Sequence, residues 1–247
     1  MIIISVINQK GGTGKTTSSI NLGSALSRLD KKVLLVDMDP QGNLGYSLGL
    51  DEAKTIADVF QENIEINQVI QERESMDIIP SDIRLVDIEL SLAELANRHS
   101  ILNNLFDTLS TNYDYVLIDC PPSLSILSLN ALYASDYVII PMLMEVLSLQ
   151  GLDQMIQTIS KIKNGYEKDL KILGILPVMV DKRRKLSDEI RAYIKENYEV
   201  KIFQSVIRNN VRASESPSFG QSVIAYSPKS NSARDYVAFA NEIVELI

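Results

Sequence analysis

"IIISVINQKGGTGKTT", residues 2–17, decides the fold. Residues 2–7 form a short, continuous apolar run rich in β-branched side chains, the signature of a strand covered on both faces. It leads through Gly11, Gly12 and Gly14 into a segment, Thr16 to about Arg28, with the composition of a helix. A strand, a glycine turn and a helix in that order make an anion seat. The glycines take backbone conformations other residues avoid, and the helix N-terminus adds partial positive charge. The usual phosphate-loop pattern has a glycine six residues before its lysine. Counting back from Lys15 reaches Gln9, and the loop carries an additional lysine, Lys10.

Working outward, similar short runs at residues 33–36, 78–79, 115–118, 137–140, 172–180, 202–207 and 223–225 read as further strands. Helix-length segments lie between them, with apolar residues at three and four spacing, as in Ile83, Val86, Leu90 or Leu152, Met155, Ile156, Ile159. The expected architecture is α/β, a doubly wound, mostly parallel sheet flanked by helices, with residues 1–247 forming one domain. Ligands of such sheets bind at the carboxyl ends of the strands, so the loops after Ile7, Val36 and Ile118 are where chemistry is expected.

In the first loop, residues Gly11, Gly12, Thr13 and Gly14 would wrap a nucleotide's phosphates. Lys15 would reach the terminal phosphates, Thr16 would place its hydroxyl on Mg2+, and Thr17 would bond a phosphate nearer the nucleoside. The second loop, "LLVDMDPQGN" (34–43), ends a strand with two acids one residue apart. Asp37 suits structural or metal-side support and Asp39 suits orienting an attacking water, since phosphoryl transfer needs positioning and charge stabilisation above all. In the third, "YDYVLIDCPPS" (113–123), Asp119 is placed to hold Mg2+ through a water, and Cys120 reads as a small buried hydrophobe.

Composition narrows the classes. One cysteine, no signal-like N-terminus and no bilayer-length apolar run predict a cytoplasmic protein that does not span a membrane. The single histidine, His99, reads as a plain surface residue in a polar stretch. Net charge is −8, yet residues 161–212 hold thirteen basic and seven acidic side chains. That +6 window leaves −14 for the remainder, so a basic face on an acidic body is compatible with the sequence.

The segments "NQKGGTGKTT", "LLVDMDPQGN", "IDCPPSL", "NALYASDYVIIP" and "VRASESPSFGQSVIAYSPKS" together resemble the ParA-type, Soj-like partition ATPases of the ParA/MinD branch of phosphate-loop proteins, along nearly the whole chain. The resemblance implies the P-loop NTPase fold with a deviant Walker A motif, slow hydrolysis of ATP with Mg2+, and a homodimer that forms with ATP. It makes Lys10 the signature lysine that crosses to the partner protomer's nucleotide, so that Lys10, Lys15 and Asp39 form the catalytic set. A cation from each protomer would offset the repulsion between two nucleotides facing each other. It also implies non-specific DNA binding by the ATP form through Arg183 and Arg212, with Lys182, Arg184 and Arg208 in the same basic window. The implied partner is a ParB-type centromere-binding protein that stimulates hydrolysis. One departure stands out: where the family reads Pro-Arg-Asn-Val-Arg, this chain reads Arg208, Asn209, Asn210, Val211, Arg212.

A membrane-positioning relative of the MinD kind would share the three loops and add a C-terminal amphipathic helix. Here Tyr236, Ala240, Ile243, Val244 and Ile247 form a stripe, but Asp235, Glu242 and Glu245 beside it would be repelled by anionic lipid, so core packing is expected. An iron–sulfur relative such as the nitrogenase iron protein needs cluster cysteines that Cys120 alone does not supply.

Overall fold

The computed structural model describes residues 1–50, 54–62, 64–181 and 186–247. Among these, seven strands form one sheet: β1 Ile2–Val6, β2 Val33–Asp37, β3 Gln71–Arg73, β4 Met76–Ile79, β5 Tyr115–Asp119, β6 Tyr137–Leu143 and β7 Lys171–Val178. Their order is β3-β4-β2-β5-β1-β6-β7, and every neighbouring pair is parallel except β3 with β4. The helices are α1 Lys15–Ser27, α2 Asn43–Leu48, α3 Ile56–Glu62, α4 Leu85–Ala93, α5 Ile101–Phe106, α6 Ile126–Ala134, α7 Val146–Gly165, α8 Leu186–Asn197, α9 Val211–Glu215, α10 Val223–Tyr226 and α11 Asn231–Leu246. The expected α/β, mostly parallel sheet is the observed one.

Successive strand residues point to opposite faces, which separates the apolar core into two layers. Leu34, Val36, Val116 and Ile118 belong to one layer, which continues to Leu152, Met155 and Ile159 of α7. Leu35 and Leu117 pack on the other side with Leu22 and Leu26 of α1 and with Tyr236, Phe239 and Ile243 of α11. Because α1 carries glycine at position 23, where a Cβ would lie 2.7 Å from Leu35 Cδ2, the helix lies directly on β2. That contact fixes where α1 begins, and so where the glycine loop sits relative to the acids ending β2 and β5. The register pairs Asp37 with Asp119 on those adjacent strands.

Four expectations are corrected. Residues 223–225 are helical: the Ser222 hydroxyl accepts from Ala225 N, Asn21 Oδ1 accepts from Val223 N at 2.8 Å, and the short apolar run is buried against α1 as a single turn. Residues 202–207 run beside β7 but form only isolated bridges, at Ile175–Ile202 and Val180–Arg208. Pro177 has no N–H for the ladder, and the Gln204 and Ser205 amides turn instead to the Glu242 carboxylate of α11 at 2.9 and 2.8 Å. Ile83, Val86 and Leu90 do have helical spacing, but they face outward; Leu85, Ile88 and Leu92 are the buried set. His99 is not a bare surface residue, for it stacks on Tyr166 at 4.3 Å with Tyr133 edge-on at 4.7 Å.

The β3–β4 hairpin has little sequence signal. Its turn residues Glu74 and Ser75 both have positive φ, 51° and 59°, positions where Asn-Gly is the usual pair. The Glu74 carboxylate accepts from Ser24 Oγ, Ser222 N and Ser222 Oγ, and those long-range bonds offset the backbone strain.

Candidate functional site

The loops after β1, β2 and β5 converge at one edge of the sheet. Gly12 and Gly14 are left-handed, with φ of 72° and 70°. Gly14 caps α1 with no side-chain cap, leaving the first N–H groups of the helix facing the loop. Gln9, where the ordinary motif has glycine, buries its amide nitrogen without a partner.

Lys15 is 8 % exposed. Burial pulls its ammonium below the usual lysine value, opposed by Asp119 and Asp39. Asp119, on the floor, is 1 % exposed. Burial pushes its carboxyl up to about 7, while hydrogen bonds from Thr16 and Ser19 and the charge of Lys15 hold it lower. Ser19 Oγ donates to Asp119 Oδ1 at 3.1 Å, but Asp119 Oδ2 is buried without a partner. Among the described residues no three His, Cys, Asp or Glu side chains form a metal-holding group. A cation here would therefore take the Thr16 hydroxyl, the open Asp119 oxygen, water and oxygens of a ligand, a donor set that suits Mg2+.

Asp37 and Asp39 separate in role. Asp37 is fully buried and its carboxyl is raised well above the usual range by burial first and by Asp119 next. Asp37 Oδ1 accepts from Asp39 N at 2.9 Å and Oδ2 from Leu44 N at 3.2 Å, so it fastens the loop around Asp39. Asp39 Oδ1 accepts from Gln41 N at 3.0 Å, and its carbonyl accepts from Ser81 Oγ beyond β4. Gly42 closes the turn at φ 62°, with Gly42 N donating to the Asp39 carbonyl at 3.0 Å.

Lys10 takes a different direction. Its backbone is tied by Asn8 Oδ1 at 3.0 Å and by Thr13 Oγ1 at 3.2 Å, while Asn8 is anchored to the Pro141 carbonyl of β6 at 2.7 Å. Its ammonium lies 3.6 Å from Glu145 Oε2 at the start of α7, and both side chains are partly exposed. Sequence reasoning missed Glu145. It missed too a cavity of about 270 Å3 at the ends of β6 and β7, lined by Met144, Glu145, Met179 and Asn209 among others. Met179 borders the glycine loop, its Cε lying 3.8 Å from where a Gly14 Cβ would sit.

A family described as an AAA domain matches residues 1–172. The chain is 40 % identical over 246 residues to the sporulation initiation inhibitor protein Soj of Bacillus subtilis, covering 98 % of this chain and 97 % of that protein. It is 38 % identical to the chromosome partitioning protein ParA of Myxococcus xanthus, covering 98 % and 88 % of the two. Among solved structures, cobyrinic acid a,c-diamide synthase from Mycobacterium smegmatis, with bound ATP analog and magnesium, superposes with a TM-score of 0.88 at 33 % identity, covering 99 % and 95 %. The chain belongs to the ParA-type family.

In this ParA-type chain the residues of the glycine loop, Lys15, Thr16, Asp37, Asp39 and Asp119 are gathered at one strand edge; the basic residues are arranged otherwise. Arg208 clamps Asp235 of α11 through Nε and Nη2, the closest approach being 2.6 Å. Arg212 lies on the surface, half-exposed, paired with Glu215 at 2.7 Å. Lys182, Arg183 and Arg184 lie outside the described residues. The C-terminal stripe packs inward as expected: Tyr236, Ala240 and Ile243 are buried, and the Tyr236 hydroxyl meets Ser18 Oγ of α1 at 3.2 Å. No helix among the described residues is long and apolar enough to cross a membrane.

Proposed function

We propose that the chain is a partition ATPase that binds ATP with Mg2+, dimerises only with ATP, spreads on DNA without sequence preference in that state, and is reset by hydrolysis. The observation that carries this reading is the direction of Lys10. Its ammonium sits at the rim beside Glu145 instead of in its own phosphate loop, so it is available to a protomer facing across the site. Gly11, Gly12, Thr13, Gly14, Lys15 and Thr17 hold the phosphates, Thr16 and Asp119 hold Mg2+ with Asp37 supporting the loop, and Asp39 orients the water. The 270 Å3 cavity beside Gly14 takes the base. Loss of the γ-phosphate removes the contact that Lys10 makes across the interface, which opens the dimer.

DNA contact falls to Arg212 and to Lys182, Arg183 and Arg184, with Arg208 chiefly holding α11 in place. Dimerisation doubles the phosphate contacts and steepens the dependence of affinity on salt. The partner is a ParB-type centromere-binding protein that stimulates hydrolysis, and the protein works in the cytoplasm on the nucleoid. The buried face of α11 favours DNA over the membrane surface used by a MinD-like positioning ATPase. Retention on non-specific duplex DNA at moderate salt, with ATP against ADP, tests this. Retention should need ATP and be lost in an Arg183→Glu, Arg212→Glu double variant. Equal retention with both nucleotides, or none with either, would overturn the DNA reading.

A further inference from the structure

The turn that carries Asp39 has a second support, outside the nucleotide loops. Ser81, two residues beyond β4, is buried, and its Oγ donates to the Asp39 carbonyl at 2.5 Å. The Ser81 carbonyl oxygen lies 2.9 Å from where a Gly42 Cβ would sit, so this segment runs flush against the turn at 39–42. Asp37 fastens the turn from β2, through the amides of Asp39 and Leu44. Ser81 fastens it from the end of β4.

An ion cluster fixes Ser81 in turn. Arg84 Nε and Nη2 fork onto the Asp82 carboxylate at 3.0 and 2.8 Å, and Nη1 and Nη2 reach the Asp58 carboxylate of α3 at 2.5 and 3.1 Å. Thr55 completes the cluster. Its hydroxyl donates to Asp82 Oδ2, its N–H donates to Asp58 Oδ2 at 2.7 Å, and its Oγ1 accepts from Ala57 N at 3.2 Å. The last two bonds form a capping box at the start of α3, and Ile56 N donates to the Pro80 carbonyl at 2.9 Å beside it.

One planar guanidinium gripping two carboxylates sets an angle as well as a charge, which the single nitrogen of a lysine does not reproduce. The hydrogen bonds from Arg84 hold the Asp58 carboxyl below the usual carboxylate range. The Asp58 and Asp82 side chains are 9 and 19 % exposed, so solvent screens the cluster only in part. Among the described residues Arg84 bonds to no phosphate-loop side chain, and its route to the chemistry runs through Asp82 and Ser81.

We propose that Arg84 is a positioning residue for hydrolysis: by clamping Asp82 to Asp58 it sets Ser81 against the turn, and Ser81 sets the Asp39 carboxylate toward the attacking water. The inference rests on the reading of Asp39 as the acid that orients that water. Single-turnover hydrolysis and affinity for a fluorescent ATP analogue are measured for wild type, Arg84→Met, Arg84→Lys and Ser81→Ala, each also in the Asp39→Ala background. Misplacing such a group by about 1 Å costs on the order of 100-fold. Arg84→Met and Ser81→Ala should therefore hydrolyse saturating ATP roughly 10- to 100-fold more slowly, with affinity within about 3-fold of wild type. Arg84→Lys should recover part of the rate. In the Asp39→Ala background none of the three should slow hydrolysis further, because the group they position is gone. A further loss there, or a fall in affinity that matches the fall in rate, would make the cluster a general scaffold and overturn the proposal. So would a wild-type rate in Arg84→Met. If Arg84→Met does not fold, Ser81→Ala, which leaves the ion cluster intact, is judged by the same criteria. Failure of the underlying reading shows separately, as a wild-type rate in Asp39→Ala itself.

Discussion

Replacing Asp119 by Asn removes a charge that the fold accommodates at a cost. The carboxyl is 1 % exposed, pairs in register with the buried Asp37, and has one oxygen without a partner. Its folded value is pushed from 3.8 up to about 7. At about 1.4 kcal/mol per unit, ionising it inside the fold costs on the order of 4 kcal/mol. The sign follows from linkage: a raised carboxyl binds its proton more tightly when folded, so its contribution is fully present below 3.8 and lost as pH rises through about 7. Asparagine mimics the protonated acid. Burying an imperfectly paired amide returns roughly 1–2 kcal/mol, leaving a net gain of about 2–3 kcal/mol at pH 8. For a chain of this size that raises Tm by roughly 5–10 °C in nucleotide-free protein, followed by circular dichroism. At pH 5 the gain should fall to about 2 °C or less. Mg2+ with ATP should stabilise wild type at pH 8 more than the variant, which keeps the phosphate loop but lacks the metal-side carboxylate. A variant no more stable than wild type at pH 8, or stabilised equally at both pH values, would refute the assignment of Asp119 as a strained, metal-ready acid.

Other substitutions separate binding, chemistry and loop geometry. Lys15→Ala should weaken ATP binding roughly 10- to 100-fold, the worth of charge-assisted hydrogen bonds to phosphate, as titration calorimetry would read. Asp39→Ala should bind ATP like wild type yet slow single-turnover hydrolysis by roughly 10²–10⁴-fold; an unchanged rate would remove the water-orienting role. In Gly42→Ala the new Cβ would lie 2.9 Å from the Ser81 carbonyl oxygen, at φ 62°. Left-handed strain of about 1–2 kcal/mol plus that backbone clash should lower Tm by several degrees and slow hydrolysis through the displaced Asp39 loop, measured on one preparation by melting and single-turnover assays.

The parallel sheet and the three nucleotide loops were legible because continuous apolar runs and glycine spacing are local properties of the chain. Where tertiary contacts decide, the sequence was silent or misleading. Glu74 and Ser75 lack turn chemistry of their own and depend on Ser24 and Ser222. The run at 223–225 has strand composition but is capped into a helix by Ser222. Ile83, Val86 and Leu90 carry the right periodicity on the wrong face, since spacing alone gives a stripe without saying which side the sheet lies on. At the site, strand-end position already separated Asp37 as support from Asp39 as the water-orienting acid, and the amides of Asp39 and Leu44 folded onto Asp37 supply the loop fastening that spacing does not show. Glu145 was invisible because its tie to Lys10 joins residues 135 positions apart. The basic window overstated the free positive charge: Arg208 faces Asp235, which only the fold brings near, and Arg212 pairs with Glu215 three residues along α9.

The central claim is that Lys10 makes dimerisation conditional on ATP, and solution mass tests it most directly. Asp39→Ala protein, which retains bound ATP, would be sized by analytical ultracentrifugation with Mg2+–ATP and with Mg2+–ADP, alone and combined with Lys10→Ala. The account predicts a dimer with ATP, a monomer with ADP, and a monomer with ATP once Lys10 is gone, although ATP still binds. A dimer that persists without Lys10, or that forms equally with ADP, would contradict it.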